Sequence, residues 1–300
     1  MRTIEVNQLT KQFAAKKVVD DVSFTLAPHT ATALIGPNGA GKTTTLSMLA
    51  GLMAPTTGDI VMPGVKDVRT AIGFLPQYPQ FYSWLTALEY MEMVANLSGV
   101  EKRTIKEKCK KMLSFVGLEQ AMHKKTVTFS GGMKQRLGIA QALIHEPKLL
   151  LLDEPVSALD PVGRREVMNL LKEVQQRTTI LYSTHILNDA EEMTDQLLFL
   201  REGRLVEQGS LAEVKAKFEA PRFKVTFATE IDALQFASQS ELPAVSEGAC
   251  AYVEIVDAQP TMQQLLNRLA NSPFDVLKVA RQTASLEEIF MKVAGDDAAI

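Results

Sequence analysis

The stretch Gly36-Pro37-Asn38-Gly39-Ala40-Gly41-Lys42-Thr43-Thr44 decides the fold of this 300-residue chain. It has the pattern G-x-x-x-x-G-K-T, in which a glycine-rich loop lets backbone N–H groups surround phosphate oxygens. The apolar run 31–35 before it predicts a buried strand, and the leucine spacing over 46–52 after it predicts a helix. The N-terminus of that helix would add positive potential for an anion. Strand, loop and helix together predict a phosphate-binding site rather than an ordinary glycine-rich turn.

Two side chains of this loop have predictable chemistry. Lys42 is expected to reach the outer phosphates, and the Thr43 hydroxyl is expected to ligate Mg²⁺. The residues that we predict to bind the phosphate-bearing cofactor here are Gly36, Pro37, Asn38, Gly39, Ala40, Gly41, Lys42, Thr43 and Thr44.

Length and composition set broad limits. Three hundred residues suggest one large and one small domain, and 46% apolar residues are ordinary for a globular protein. A net charge of −3 gives no electrostatic footprint for nucleic acid, so we expect no nucleic-acid partner. Cys109 and Cys250 lie far apart without metal-ligand spacing, and we expect Cys109 to be a small buried residue. We expect neither a signal peptide nor a transmembrane segment, since no run approaches about 18 apolar residues.

Polar residues follow apolar runs at three places in the chain. The run 149–152 is followed by Asp153 and Glu154, the run 179–182 leads to His185, and the run 31–35 leads to Gly36. Continuous apolar runs are typical of parallel strands that are covered on both faces. Because ligands collect at the carboxyl ends of such strands, we expect these polar residues to lie together.

The interval between these strands contains helix signals and a group of aromatic residues. Capping boxes at Thr86–Glu89 and Thr104–Glu107 predict two helix starts. The aromatic residues of segment 78–84 indicate either a small local core or a docking patch for a partner. Phe13 lies between two predicted strands, where it could stack on a purine, although its own position favours a core residue.

The phosphate loop, Gln77, Ser130-Gly131-Gly132, the leucine run with Asp153 and Glu154, and His185 occur in an order that resembles the ATP-binding subunits of ABC transporters. The resemblance covers residues 1 to about 215. It implies the α/β class: a P-loop NTPase core with an antiparallel β subdomain and a helical subdomain at about 78–145.

The resemblance also implies roles for individual residues, with ATP and Mg²⁺ as cofactors. Phe13 would stack on adenine, which raises that role above the core interpretation. Gln77 would sense Mg²⁺ and the γ-phosphate and link them to a membrane subunit, and Asp153 would hold the metal. Glu154 would orient or deprotonate the attacking water, and His185 would contact the γ-phosphate. The implied catalytic residues are therefore Glu154, His185, Lys42 and Gln77, and the implied metal ligands are Thr43, Gln77 and Asp153.

Ser130, Gly131 and Gly132 have a different place in this resemblance. They would cap the γ-phosphate that a second ATP-binding subunit holds, so the resemblance implies a homodimer or a pair with a close relative. Asp160, at the end of segment 157–160, would lie at that contact. Phe129 and Met133 depart from the leucine and glutamine that the family most often has. A methionine at the second position is familiar among exporter-type relatives.

The chain changes character after Gly209, and 221–300 is predicted to be a small α+β accessory or regulatory domain. Its order of strand, helix, strand, strand, helix and strand is that of a split βαβ unit, with a final helix capped at Ser285–Glu288. The segment 284–290 is similar to the tail of ABC-2-type exporter ATPases.

These observations favour an ATPase subunit, on the cytoplasmic face of the cell membrane, that powers a separate permease in export. The segment Gln77–Trp84 is expected to contact that permease. A second hypothesis is a soluble ATPase that acts on DNA or ribosomes. DNA-repair members have a coiled-coil or cysteine-rich insert, which the interval from Lys42 to Ser130 lacks. The chain also has only one ATPase half, which argues against a ribosome-acting member. A regulator that binds ATP without turnover is a third, and the presence of Glu154 and His185 argues against it.

Overall fold

The computed structural model describes residues 3–65, 67–157, 159–218, 221–240, 242–282 and 286–295, with side chains to 291 in the last segment. The chain forms two compact units, Met1–Leu211 and Ala212–Ile300, and each is described by itself. Two sequence features lie partly outside the described residues: Ala158 within segment 157–160, and Ser285, the expected cap of the last helix.

A six-stranded sheet forms the centre of the N-terminal unit. Its strands, in chain order, are β3 (Ala31–Ile35), β5 (Ile72–Leu75), β6 (Leu149–Asp153), β7 (Thr179–Thr184), β8 (Gln196–Arg201) and β9 (Arg204–Ser210). They are arranged β5-β6-β7-β3-β8-β9, with every pair parallel except β8 and β9. Every residue of β3, β6 and β7 is buried, so the apolar runs correctly predicted strands covered on both faces.

A second, antiparallel sheet of order β2-β1-β4 belongs to the same unit. Its strands are β1 (Ile4–Phe13), β2 (Lys16–Leu26) and β4 (Thr57–Val61). The alternation of buried and exposed residues in β2 places one face in the core and the other in solvent. The buried face joins the hydrophobic core that also contains Leu46, Leu151 and Leu181.

Among the described residues of this unit, the helices are α1 (Lys42–Leu49), α2 (Ala87–Leu97), α3 (Ile105–Phe115), α4 (Gly131–Leu143), α5 (Pro161–Gln175) and α6 (Leu187–Met193). Single turns of 3₁₀ helix lie at Val68–Thr70, Glu119–Ala121 and Thr126–Thr128. Helices α2, α3 and α4 contact one another and form a helical subdomain beside the sheets. The predicted α/β class with an antiparallel sheet and a helical part is confirmed.

The two predicted capping boxes have different outcomes. At Thr86 the box is complete, since its side chain accepts from the Glu89 backbone N–H and the Glu89 side chain accepts from the Thr86 backbone. At Thr104 a helix does begin, but the predicted box is wrong. The Thr104 hydroxyl donates to the Glu101 carbonyl at 2.8 Å, and Glu107 instead pairs with Lys111 at 2.6 Å. Two local partners therefore outcompete the cap.

Cys109 is a buried residue of the helical subdomain, as predicted. It is fully buried in α3, and burial raises the pKa of its thiol to about 11. The thiol is therefore protonated at neutral pH and has the properties of a small apolar side chain.

The C-terminal unit is a four-stranded antiparallel sheet of order β11-β12-β10-β13 with helices. Its elements are β10 (Arg222–Phe227), α8 (Glu230–Gln239), β11 (Ala244–Glu247), β12 (Cys250–Glu254), α9 (Met262–Ala270), β13 (Val276–Gln282) and α10 (Leu286–Gly295), after a short helix α7 (Leu211–Lys217). Its core includes Phe223, Phe227, Phe236 and Leu265. The predicted split βαβ order is confirmed, whereas the sequence analysis did not identify α7. Among the residues that the structure describes, no helix is both long and apolar enough to cross a membrane.

Replacing Leu151 by Ala is expected to destabilise the N-terminal unit. Leu151 is fully buried in the core cluster, so truncation loses packing and leaves a cavity. Such changes cost about 2–5 kcal/mol of unfolding free energy. Urea denaturation of the full chain measures this, with Leu97→Ala as the control because Leu97 is 81% exposed on a helix surface. Equal midpoints for the two variants would contradict the burial of Leu151.

Candidate functional site

The phosphate loop connects β3 to α1 and requires glycine at two positions. A Cβ atom at Gly36 would lie 2.3 Å from the carbonyl oxygen of Leu200. Gly41 has a φ of +104°, and a Cβ there would lie 2.6 Å from the carbonyl oxygen of Val18. Larger residues would therefore push the loop away from the neighbouring strands, and the glycines allow its backbone to approach a ligand closely.

Lys42, the first residue of α1, has a buried side chain that folds onto its own loop. Its ammonium donates to the carbonyl oxygens of Gly36 at 2.7 Å and Pro37 at 3.1 Å. Burial lowers the pKa of Lys42, and the negative charges of Glu154 and Asp153 oppose that change. The carboxylates therefore help to keep a cation in a site of low dielectric constant.

Asp153 ends strand β6 and Glu154 follows it; Ser183 on the adjacent strand β7 connects them. The Ser183 hydroxyl donates to Asp153 Oδ1 at 2.6 Å and accepts from the Glu154 backbone N–H at 2.9 Å. Asp153 is 3% exposed, so this contact fixes a buried carboxylate. The sequence analysis gave Ser183 no role. The available signal was a polar residue within an apolar run, and its pairing with Asp153 follows only from the strand register.

Glu154 is held by two residues that are distant in the sequence. Gln77 Nε2 donates to Glu154 Oε2 at 3.1 Å, and His185 Nδ1 lies 3.1 Å from Glu154 Oε1. The Glu154 backbone has a φ of +49°, which is uncommon for a residue with a side chain and typical of functional sites. Three of the residues with predicted catalytic roles are thus in direct contact.

Several residues of the phosphate loop, together with Gln77 and Glu154, surround a cleft of about 300 Å³. It is lined by Val18, Asn38, Gly39, Gly41, Lys42, Thr43, Thr44, Gln77 and Glu154. Val18, in β2, was missed by the sequence analysis, because nothing in its local pattern distinguishes it from other strand residues. Asp153, His185 and Phe13 are not among the lining residues; His185 adjoins the cleft through Glu154.

The oxygen donors of Thr43 and Gln77 at this cleft, together with Asp153 beside it, fit a magnesium ion. The predicted metal ligands supply a hydroxyl from Thr43, an amide oxygen from Gln77 and a carboxylate from Asp153. Mg²⁺ prefers such ligands and usually takes only one or two carboxylates, with phosphate oxygens and water completing its octahedron. Among the described residues, no cluster of three or more His, Cys, Asp or Glu side chains could hold a metal.

Phe13, the last residue of β1, is not a core residue, and the interpretation that its position alone favoured is wrong. Its side chain is 46% exposed, and the Lys11 ammonium lies 5.3 Å from the ring centroid. The ring is therefore about half exposed to solvent, with a cation close to it.

Ser130 and its two glycines lie at a second cleft of about 330 Å³, which also contains the first turn of α5. Ser130 caps α4, with its hydroxyl oxygen accepting from the Met133 N–H at 3.3 Å. Asp160 caps α5 in the same way, accepting from the Gly163 N–H at 2.7 Å. None of the residues lining the second cleft lines the first. Within one chain, the structure does not bring Ser130 to the phosphate loop.

The aromatic residues of segment 78–84 divide between the two alternatives. Phe81 packs edge-on against Tyr90 with ring centroids 5.0 Å apart, so it belongs to a local core. The other three, which we call the aromatic patch, are exposed: Tyr78 by 67%, Tyr82 by 49% and Trp84 by 65%.

Replacing Ser183 by Ala is expected to destabilise the site region. The change leaves a buried carboxylate and a backbone N–H without their shared partner, which costs about 1–3 kcal/mol. Thermal denaturation should show a lower midpoint than for Ser83→Ala, a control at an exposed serine. A Ser183→Ala variant as stable as this control would show that the bridge contributes nothing.

Comparisons with known proteins identify the family to which this chain is similar. Residues 19–157 match the ABC transporter family, and residues 209–294 match the C-terminal domain of DrrA1-3-like ATP-binding proteins. The chain is 42% identical to the uncharacterised ABC transporter ATP-binding protein YxlF of Bacillus subtilis, covering 97% of this chain and 99% of that protein. It is 33% identical to the bacitracin transport ATP-binding protein BcrA of Bacillus licheniformis, covering 97% of each.

A solved structure shares the fold of the N-terminal part. It is the dimeric post-hydrolysis form of an ATP-binding cassette with bound ADP and phosphate. The TM-score is 0.63 at 25% identity, over 69% of this chain and 98% of the other. The chain therefore belongs to the ABC transporter family, as an ATP-binding subunit that hydrolyses ATP.

Proposed function

We propose that the chain powers a separate membrane permease through ATP hydrolysis at the Lys42–Glu154 cleft. The observation that carries this proposal is the contact of Glu154 with both Gln77 and His185 beside the phosphate loop. A carboxylate whose two oxygens are both engaged has a fixed orientation. Fixed groups of this kind suit phosphoryl transfer, which depends mainly on positioning and on neutralising charge.

Each residue of the cleft has a role in this proposal. Lys42 exchanges the loop carbonyls for the outer phosphate oxygens, and the backbone N–H groups of 36–44 surround the phosphates. Mg²⁺, held by Thr43, Asp153 and Gln77, would neutralise charge on the phosphate oxygens. Glu154 orients or deprotonates the attacking water, and His185 contacts the γ-phosphate. The exposed face of Phe13 stacks on adenine.

We propose that the working unit contains two such chains, or one chain and a close relative. Ser130 and its glycines are an anion cradle of a hydroxyl and N–H groups at a helix N-terminus, yet they lie away from this chain's phosphate loop. A head-to-tail pair would place each cradle on the other chain's γ-phosphate. The dimeric form of the related ATP-binding cassette supports this arrangement.

We further propose export as the direction of transport and the cytoplasmic face of the membrane as the location. A Nod factor export ATP-binding protein that is 32% identical to this chain supports export, and so does Met133. We place the ATP-binding domain at 1–215, with its helical subdomain at about 78–145, and the accessory domain at 221–300. The sequence boundary between the two compact units, at residues 211 and 212, supports this division. The accessory domain would regulate or stabilise the dimer.

Replacing Glu154 by Gln is expected to lower ATP turnover at least about a hundredfold, because the water loses its base. ATP binding should remain, so the variant should accumulate as an ATP-bound dimer on size-exclusion chromatography. The control is Glu173→Gln, at an exposed position on α5, which should turn over ATP like the parent. Persistent turnover in Glu154→Gln would show that another group activates the water.

The aromatic patch is expected to contact the permease. Trp84→Ala should weaken binding of the chain to permease-containing membranes by tenfold or more, as for a buried interface aromatic, with ATP affinity unchanged. The control is Leu97→Ala, which removes an exposed apolar side chain outside the patch. Phe81→Ala should instead lower the thermal midpoint, because Phe81 packs on Tyr90. Normal membrane binding by Trp84→Ala would rule out docking through this residue.

A further inference from the structure

Charged and polar side chains of α5 contact side chains of α6 and the side chain of Asp195, which follows α6 closely. Helix α5 begins after Asp160, and α6 begins two residues after His185. The contacts are Arg164–Asp189 at 3.8 Å, Arg165–Glu192 at 4.0 Å, Lys172–Glu192 at 3.1 Å and Gln175–Asp195 at 2.6 Å.

The Arg164–Asp189 pair differs from the others in its burial. Asp189 is only 8% exposed, whereas the Arg165 side chain is 74% exposed. Arg164 Nε and Asp189 Oδ2 are both buried, and neither has a hydrogen-bond partner among the described residues. Their separation of 3.8 Å is that of an ion pair without a hydrogen bond. The Asp189 carboxylate is buried, whereas the Arg164 side chain is 33% exposed. Burying a carboxylate without a hydrogen bond to its charged partner disfavours folding, so the pair is a poor device for stability alone.

Asp189 is also close to the catalytic machinery. It lies in the first turn of α6, four residues after His185, whose ring contacts Glu154. Burial raises the pKa of Asp189, and the charges of Arg164 and, more weakly, His185 oppose that rise. The exposed contacts at Lys172 and Gln175, farther along α5, already join the two elements. The buried pair is therefore needed less for attachment than for the exact placement of the α6 start.

Helix α5 is paired on its other side as well. Arg136 Nη1, on α4, donates to Glu166 Oε2 at 2.9 Å. Helix α4 begins at Ser130, the proposed phosphate cradle for a second chain. Helix α5 thus forms ion pairs with α4, which follows Ser130, and with α6, which follows His185.

We propose that Arg164 and Asp189 are positioning residues that hold His185 against Glu154, so that a displacement of α5 at the contact with a second chain alters the reach of His185. This inference rests on the proposed function, since it assumes that His185 and Glu154 act in hydrolysis. Breaking the pair should impair turnover while each chain still binds ATP through its phosphate loop.

The test compares Asp189→Asn with Asp189→Glu and Arg165→Ala in the full chain. The amide keeps the size of the carboxyl group and removes its charge, so kcat should fall about tenfold while the KM for ATP stays within about twofold. Asp189→Glu restores the charge and should recover most of kcat. Arg165→Ala removes an exposed pair between the same helices and should leave both parameters unchanged.

Three outcomes would overturn the inference: unchanged kcat in Asp189→Asn, no recovery in Asp189→Glu, or loss of ATP binding together with turnover. If Asp189→Asn does not fold, Arg164→Gln provides the same comparison from the other side of the pair. Failure of the proposed function is recognised separately, because Glu154→Gln would then turn over ATP like the parent. If Glu154→Gln is inactive while Asp189→Asn is normal, only the positioning role is wrong.

Discussion

The burial of the parallel strands on both faces is the constraint on which the rest of this structure depends. In β3, β6 and β7 every residue is buried, and the backbone groups are paired with neighbouring strands. A polar side chain in the middle of such a strand would lose its hydration without gaining a partner. Charged side chains in these three strands are therefore confined to the strand ends, as Asp153 is in β6. This places the loop from Gly36, the Asp153–Glu154 pair and His185 at one edge of the sheet.

The same burial makes the electrostatics of that edge interdependent. Lys42 carries a charge in a site where burial disfavours charge, and the nearby carboxylates compensate. The Asp153 carboxylate accepts a hydrogen bond from the Ser183 hydroxyl. The Glu154 carboxylate is instead oriented by Gln77 and His185. Each of these groups has a partner supplied by a different part of the chain. The arrangement of the proposed catalytic residues is thus a property of the folded sheet and not of any one motif.

The sequence predicted those features that depend on local spacing. Apolar runs marked β3, β6 and β7, the glycine pattern marked the phosphate loop, and the order of motifs marked the family. Features that depend on register or on competition between partners were not predictable in this way. Ser183 meets Asp153 only because two strands separated by a helix pair in that register. Thr104 has the residues of a capping box but finds another partner in Glu101. Phe13 looked like a core residue because its exposure depends on the end of β1, which the local pattern does not reveal.

The separation of the two clefts within one chain has a mechanical consequence. A group that lies away from its own chain's phosphate loop can act on a phosphate only across an interface, so assembly and chemistry become linked. Helix α5 begins at the second cleft and is paired with α6. Helix α6 starts two residues after His185, which adjoins the first cleft through Glu154. A rigid helix cannot shift at one end without moving the side chains along it. In the proposed pair of chains, contact at Asp160 would be transmitted through α5 to His185, and hydrolysis would be favoured only when the two chains are joined.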